Sequence, residues 1–291
     1  MSASSSNRVS PSRWPTALTR QQPHQACLSH LGRPLGVLVI LLLAPLAQAD
    51  ELHVAVAANF QAPLQRLAPA FEQATGHRLL VSAASTGKLL AQIRAGAPYD
   101  MLLSADDETP RALAQEGLSL DPPQTYAVGR LVLWSAQPGV VDGQGRWLQA
   151  APSQKLALAN PKLAPYGRAA QEALQKLDRW EAWRPQLVTG EHIAQAHQFV
   201  ATGAAPAGFV AAAQVMQAGG SCWLVPETLH QPIRQDLVIL KRTGQAAAAR
   251  ALVQFLISPA VQREIEASGY SPARGVRSAA WSLPCQQGAA R

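Results

Sequence analysis

The chain has 291 residues, with 25 Lys and Arg against 18 Asp and Glu and a formal net charge of +7. Four of the arginines, Arg8, Arg13, Arg20 and Arg33, fall in an N-terminal stretch without acids, so the remainder is nearly balanced. Its basic residues are scattered, which excludes the clustered face that nucleic-acid binding needs.

Residues 1–49 read as an export signal. The arginines precede an apolar stretch, residues 35–46, and Ala47-Gln48-Ala49 forms a small-x-small cleavage site just before Asp50. That stretch is too short to span a bilayer as a helix. Cys27 lies ahead of it, where a lipid-anchored cysteine would not. Cleavage after Ala49 is expected to release a soluble chain of 242 residues into an oxidising compartment, long enough for two small lobes with their own cores.

From Leu52 onward short apolar runs alternate with helical patterns. Residues 52–58 are expected as a buried strand, and residues 63–74 carry Leu64, Leu67 and Phe71 at helical spacing before Gly76. Pro69 should kink or shorten that helix. A strand over 77–82, a helix over 86–95 and a strand over 99–104 follow. This order implies a parallel sheet with right-handed crossovers and a ligand site beyond the strands' carboxyl ends. Residues 126–135 form a long extended crossing. A second set follows: strand 156–159, a helix from Tyr166, strand 187–189, helix 193–201, strand 207–211, a helix to Ala218 and strand 222–225. Residues 236–240 cross back, and helices over 246–257 and 259–268 complete the first lobe. The expected organisation is lobe 1 from 50–125 and 236–275, lobe 2 from 126–235, and a tail over 276–291.

Four strand-to-helix junctions stand out: Ala57-Ala58-Asn59-Phe60, Ala84-Ser85-Thr86-Gly87, Ala164-Pro165-Tyr166-Gly167 and Thr189-Gly190-Glu191-His192-Ile193. A helix starting at each leaves N–H groups unpaired at the positive end of its dipole, which attracts anions. Asn59 offers an amide, yet it also stands where an N-cap would. Ser85 and Thr86 offer hydroxyls, which before a helix commonly serve as caps, and Gly87 lets backbone approach closely. The Tyr166 hydroxyl either donates to a ligand or tops a ring packed over the cleft. Ile193 brings only its N–H, with its side chain expected in the core beside Ala196 and Val200.

Other chemistry is poorly represented. Ser-Thr-Gly-Lys at 85–88 lacks the earlier glycine and the following hydroxyl of a phosphate loop, and neither a Gly-x-Ser-x-Gly elbow nor a His-Glu-x-x-His helix occurs. His192 and His197 are five apart, out of register for a helical metal pair. Cys222 and Cys285 allow a disulfide, although Cys222, inside Ser221-Cys222-Trp223-Leu224-Val225, also reads as a small core residue.

These residues carry a family resemblance. Val56-Ala57-Ala58-Asn59-Phe60, Ser85-Thr86-Gly87-Lys88, Gly96-Ala97-Pro98-Tyr99-Asp100, Ser104-Ala105-Asp106, the run from Tyr126 to Ser135, Asn160-Pro161 with Ala164-Pro165-Tyr166-Gly167, Gln195-Ala196-His197 and Gly208-Phe209-Val210-Ala211 resemble the periplasmic molybdate-binding proteins of ABC importers. The resemblance implies an α/β, two-lobed type II periplasmic binding protein fold, each lobe a mainly parallel sheet flanked by helices, with two extended crossovers. It implies a periplasmic monomer that captures molybdate or tungstate for a membrane permease, with no catalysis, cofactor or nucleic-acid partner. Molybdenum would be held as its oxyanion rather than liganded directly. The implied ligand positions are Asn59, Thr86, Tyr166 and Ile193, with Ser85 and Ala58 adjacent. Some members have a hydroxyl residue at the position of Asn59 or Ala58, and here Ala58 can give only backbone. The alternatives are a carrier of another tetrahedral oxyanion such as sulfate and, more distantly, a secreted enzyme.

Overall fold

The computed structural model describes residues 51–273 and 283–287. The expected signal with its cleavage site, and most of the tail, lie outside the described residues.

The first sheet begins with β1 (Glu51–Ala57), whose residues Val54 to Ala57 are all buried, as expected of a strand covered on both faces. Helix α1 (Gln61–Thr75) buries Leu64, Leu67 and Phe71 and stops at Gly76, which takes the left-handed conformation at φ 76°. Pro69 lies inside this helix without dividing it into two elements. Strand β2 (Arg78–Ala84), helix α2 (Thr86–Arg94), strand β3 (Met101–Leu103), helix α3 (Glu108–Gln115) and strand β4 (Gln124–Gly129) follow. Helix α3 carries no sequence expectation of its own.

After Arg130 the chain enters the second sheet as β5 (Leu131–Ser135). The extended crossing is therefore two strands in two sheets, and it changes sheet at Arg130 rather than Tyr126. The elements β6 (Leu156–Ala159), α4 (Pro165–Lys176), the short α5 (Trp180–Trp183), β7 (Leu187–Gly190), α6 (Ile193–Ala201), β8 (Ala207–Ala211), α7 (Ala212–Val215) and β9 (Ser221–Leu224) build this lobe. The return strand β10 (Ile233–Ile239) starts earlier than the pattern suggests, and α8 (Ala246–Ile257) and α9 (Pro259–Ala267) cover the first sheet.

The strand orders are β2-β1-β3-β10-β4 and β7-β6-β8-β5-β9. β1 pairs in parallel with β2 and β3, and β6 with β7 and β8. β10 and β5, the strands nearest the crossings, pair antiparallel with both neighbours, so both sheets are mixed. In each lobe the chain leaves two adjacent parallel strands, β1 and β2 or β6 and β7, toward helices at the same edge. This is where crevices open in such sheets.

A short helix, α10 (Pro284–Gln287), packs beside β9, and a disulfide joins Cys222 to Cys285 with Cα atoms 5.3 Å apart. Both cysteines are buried, so Cys222 is a core residue and a bridge at once.

Candidate functional site

The four junctions converge. Ala57, Ala58, Asn59, Ala84, Ser85, Thr86, Ala105, Ala164, Pro165, Tyr166, His192 and Ile193 line one cavity of about 10 Å³, with two helix ends contributed by each lobe. The lobes touch around it. Gly87 N–H donates to Leu163 O across the cleft at 2.9 Å, Lys88 pairs with Glu191 at 3.0 Å, and Arg168 pairs with Glu108 at 2.7 Å.

Helix α1 starts at Gln61, two residues ahead of the expected range and one residue later than a cap at Asn59 would place it. Phe60 is its N-cap and its N–H turns back to Ala57 O at 2.9 Å. Asn59 is consequently not a cap, and its amide is turned into the core, donating to Gln235 Oε1 at 2.9 Å and to the Tyr270 hydroxyl at 3.1 Å. What Asn59 retains for the cavity is its backbone N–H, which has no acceptor among the described residues. Ala58 lines the cavity, but its N–H is committed to Ala84 O at 3.0 Å, so it is not a spare donor.

At α2 the N-cap is Ser85, yet its side chain makes no capping bond. Its Oγ is buried and has no hydrogen-bond partner among the described residues. Leaving a hydroxyl in that condition costs on the order of 1–3 kcal/mol, which a ligand oxygen would relieve. Thr86 Oγ accepts from Ala105 N–H at 3.1 Å, so its own proton stays available to donate. Gly87 serves the closeness of the lobes, because a Cβ there would lie 3.2 Å from Leu163 Cα and O.

Helix α4 begins with Pro165 in its first turn, where a missing N–H is harmless. A Cβ on Gly167 would lie 2.2 Å from Ala159 O, so glycine lets the helix start directly on the end of β6. This presents Tyr166, which is 1 % exposed, to the cavity. Burial pushes its hydroxyl well above the ordinary phenol range, so it is a neutral donor. Its oxygen accepts from Gln235 Nε2 at 3.1 Å. The cap of α6 is His192, whose Nδ1 accepts from Gln195 N–H at 3.2 Å. Ile193 buries its side chain with Ala196 and Val200, and its N–H at the cavity has no acceptor among the described residues.

No Asp, Glu, Lys or Arg lines this cavity. Four helix ends at roughly half a unit charge each supply about two positive charges. A larger neighbouring cavity of about 340 Å³ shares Ala105 and Pro165 with it, but its walls set Asp106, Asp107, Glu108 and Glu172 against Arg168 and Arg234, an excess of acids that disfavours an anion. Among the described residues no cluster of His, Cys, Asp and Glu could hold a metal ion, and no helix is long and apolar enough to cross a membrane.

Gln235 is the residue that sequence reasoning missed. It is fully buried in β10 at an irregularity of the β10–β4 ladder, and it links the lobes through Tyr166. It falls just before the return strand expected over 236–240, between Arg234 and Asp236, where a polar residue carries no distinguishing signal.

A two-lobed α/β fold with an all-donor cleft is the architecture of a carrier. Residues 52–271 match the family of bacterial extracellular solute-binding proteins, and the chain belongs to that family. It is similar to the molybdate-binding protein ModA of Azotobacter vinelandii, 51 % identical over 234 residues that cover 79 % of this chain and 93 % of that one. It also resembles the molybdate-binding protein ModA of Rhodobacter capsulatus, 44 % identical over 80 % of this chain and 92 % of the relative. Among solved structures, the periplasmic molybdate-binding protein of Azotobacter vinelandii superposes with a TM-score of 0.73 at 39 % identity, covering 75 % of this chain and 98 % of that one.

Proposed function

We propose that this protein captures molybdate, and tungstate similarly, in the periplasm and delivers it to the permease of an ABC-type importer. The observation that carries the reading is the buried Ser85 hydroxyl, which has no partner among the described residues, set among four helix ends whose N–H groups at Asn59, Thr86, Tyr166 and Ile193 likewise have none there. The donors offered there are backbone N–H groups and the hydroxyls of Ser85, Thr86 and Tyr166, each of which has a proton to give. Such a lining suits a dehydrated dianion and penalises a ligand that must itself donate. No cofactor and no catalysed step enter this reading. The protein acts as an exported monomer whose residues 1–49 are removed, with lobe 2 formed by the middle of the chain and lobe 1 by its two flanks. The ligand set is Asn59, Ser85, Thr86, Tyr166 and Ile193, with Ala58 forming wall only. Calorimetric titration of the mature protein with molybdate, tungstate, sulfate and phosphate tests the assignment. Tight binding of molybdate and tungstate is expected; sulfate binding as tight as molybdate would replace this reading with a general oxyanion carrier.

A further inference from the structure

A directed chain of hydrogen bonds runs from a backbone carbonyl to the cleft. Asn59 O can only accept, and the Tyr270 hydroxyl donates to it at 2.9 Å. With that proton used, the Tyr270 oxygen accepts from Asn59 Nδ2 at 3.1 Å. The second hydrogen of Nδ2 goes to Gln235 Oε1 at 2.9 Å. The Gln235 amide is thereby fixed, with Oε1 toward Asn59 and Nε2 toward the Tyr166 oxygen at 3.1 Å. Tyr126 has its single hydroxyl proton between that Oε1 at 3.0 Å and Ser104 O at 2.9 Å, both of which accept. Asn59, Tyr126, Tyr166, Gln235 and Tyr270 are all buried, so solvent does not compete. An amide nitrogen can only donate. The Tyr166 oxygen must therefore accept from Gln235, and its proton is left for the ligand.

We propose that Gln235 is the positioning residue that sets specificity: it holds Tyr166 as an obligate donor, so that oxyanions carrying a proton are rejected. This rests on the oxyanion reading above and extends it to a residue that does not line the cavity. Without Gln235 Nε2 the tyrosine hydroxyl is free to rotate, and it can accept a proton from hydrogen phosphate as readily as it donates to molybdate.

Gln235→Glu is the sharp probe. It keeps the acceptor that serves Asn59 and Tyr126, and it replaces only the donor facing Tyr166. An ionised carboxylate draws the Tyr166 proton away from the cleft; a protonated one can restore the donor. Affinities for molybdate, sulfate and hydrogen phosphate would be measured by calorimetry between pH 6.5 and 8.5 for the parent protein, Gln235→Glu and Gln235→Met. At pH 8.5 Gln235→Glu is expected to lose about tenfold or more in molybdate affinity, the scale of one hydrogen bond to a charged group, and to recover part of it at pH 6.5. In both variants the preference for molybdate over hydrogen phosphate narrows. In a Tyr166→Phe background Gln235→Met leaves that preference alone.

A ratio unchanged in both variants at every pH overturns the proposal. If the parent protein prefers sulfate to molybdate, the molybdate assignment fails while the sulfate-to-phosphate ratio still decides the role of Gln235. Gln235→Met supplies the ratio if the carboxylate variant does not fold.

Discussion

Gly129→Ala tests the site from a residue that does not itself line the cavity. Gly129 ends β4, and a Cβ there would lie 2.2 Å from the Tyr166 hydroxyl oxygen and 2.8 Å from Tyr166 Cζ and Gln235 Nε2. Helix α4 cannot retreat, because Gly167 already sits against Ala159 O. The phenol ring must turn, and it then loses both its bond to Gln235 and its place in the cavity. Overpacking of this kind costs about 1–3 kcal/mol of stability. Loss of one hydrogen bond to a charged group costs a further ~1.5–3 kcal/mol of binding, roughly a ten- to hundredfold weaker Kd. Calorimetry with molybdate reads the second quantity, and thermal unfolding without ligand reads the first. A variant that is less stable but binds molybdate within twofold of the parent would refute the donor role of Tyr166.

The two hydroxyls of α2 should behave oppositely in the unliganded protein. Ser85→Ala removes a buried group without a partner, so thermal stability without ligand should hold or rise while molybdate affinity falls about tenfold; a loss of stability would show that the hydroxyl is bonded. Thr86→Ala strands the Ala105 N–H, so both stability and affinity should fall, and unchanged values for both would reduce Thr86 to wall. Reducing the Cys222–Cys285 bridge, which spans 63 positions, should lower stability by up to about 4 kcal/mol on the loop-entropy scale. Because neither cysteine lines the cavity, the molybdate Kd of the folded protein should not move; a changed Kd would mean that the bridge shapes the cleft.

Much of this architecture is written locally. Each anion-facing junction is a short apolar strand followed by a helix, and both halves announce themselves by spacing, as in Leu64, Leu67 and Phe71 of α1. What escaped depends on distant partners. Asn59 reads as a cap because caps are local, but the turn from Phe60 N–H to Ala57 O shifts the helix start and sends the amide toward Gln235 and Tyr270, 176 and 211 positions away. Gln235 reads as part of a polar entry to the return strand, because only the shift in pairing between Gln235 and Asp236 makes it a buried hub. The antiparallel neighbours in each sheet were equally hidden. Whether an extended run pairs parallel or antiparallel is decided by the route of the chain, not by its residues.

The bridge between Cys222 and Cys285 also closes a covalent ring. From β9 the chain crosses to the first lobe, forms β10, α8 and α9, and is fastened back to β9, so the ring passes through both lobes. The ring therefore adds a covalent tie between the lobes to the two crossings. Reducing the bridge would open the ring and release that tie, while the two crossings keep both halves of the cleft on one molecule.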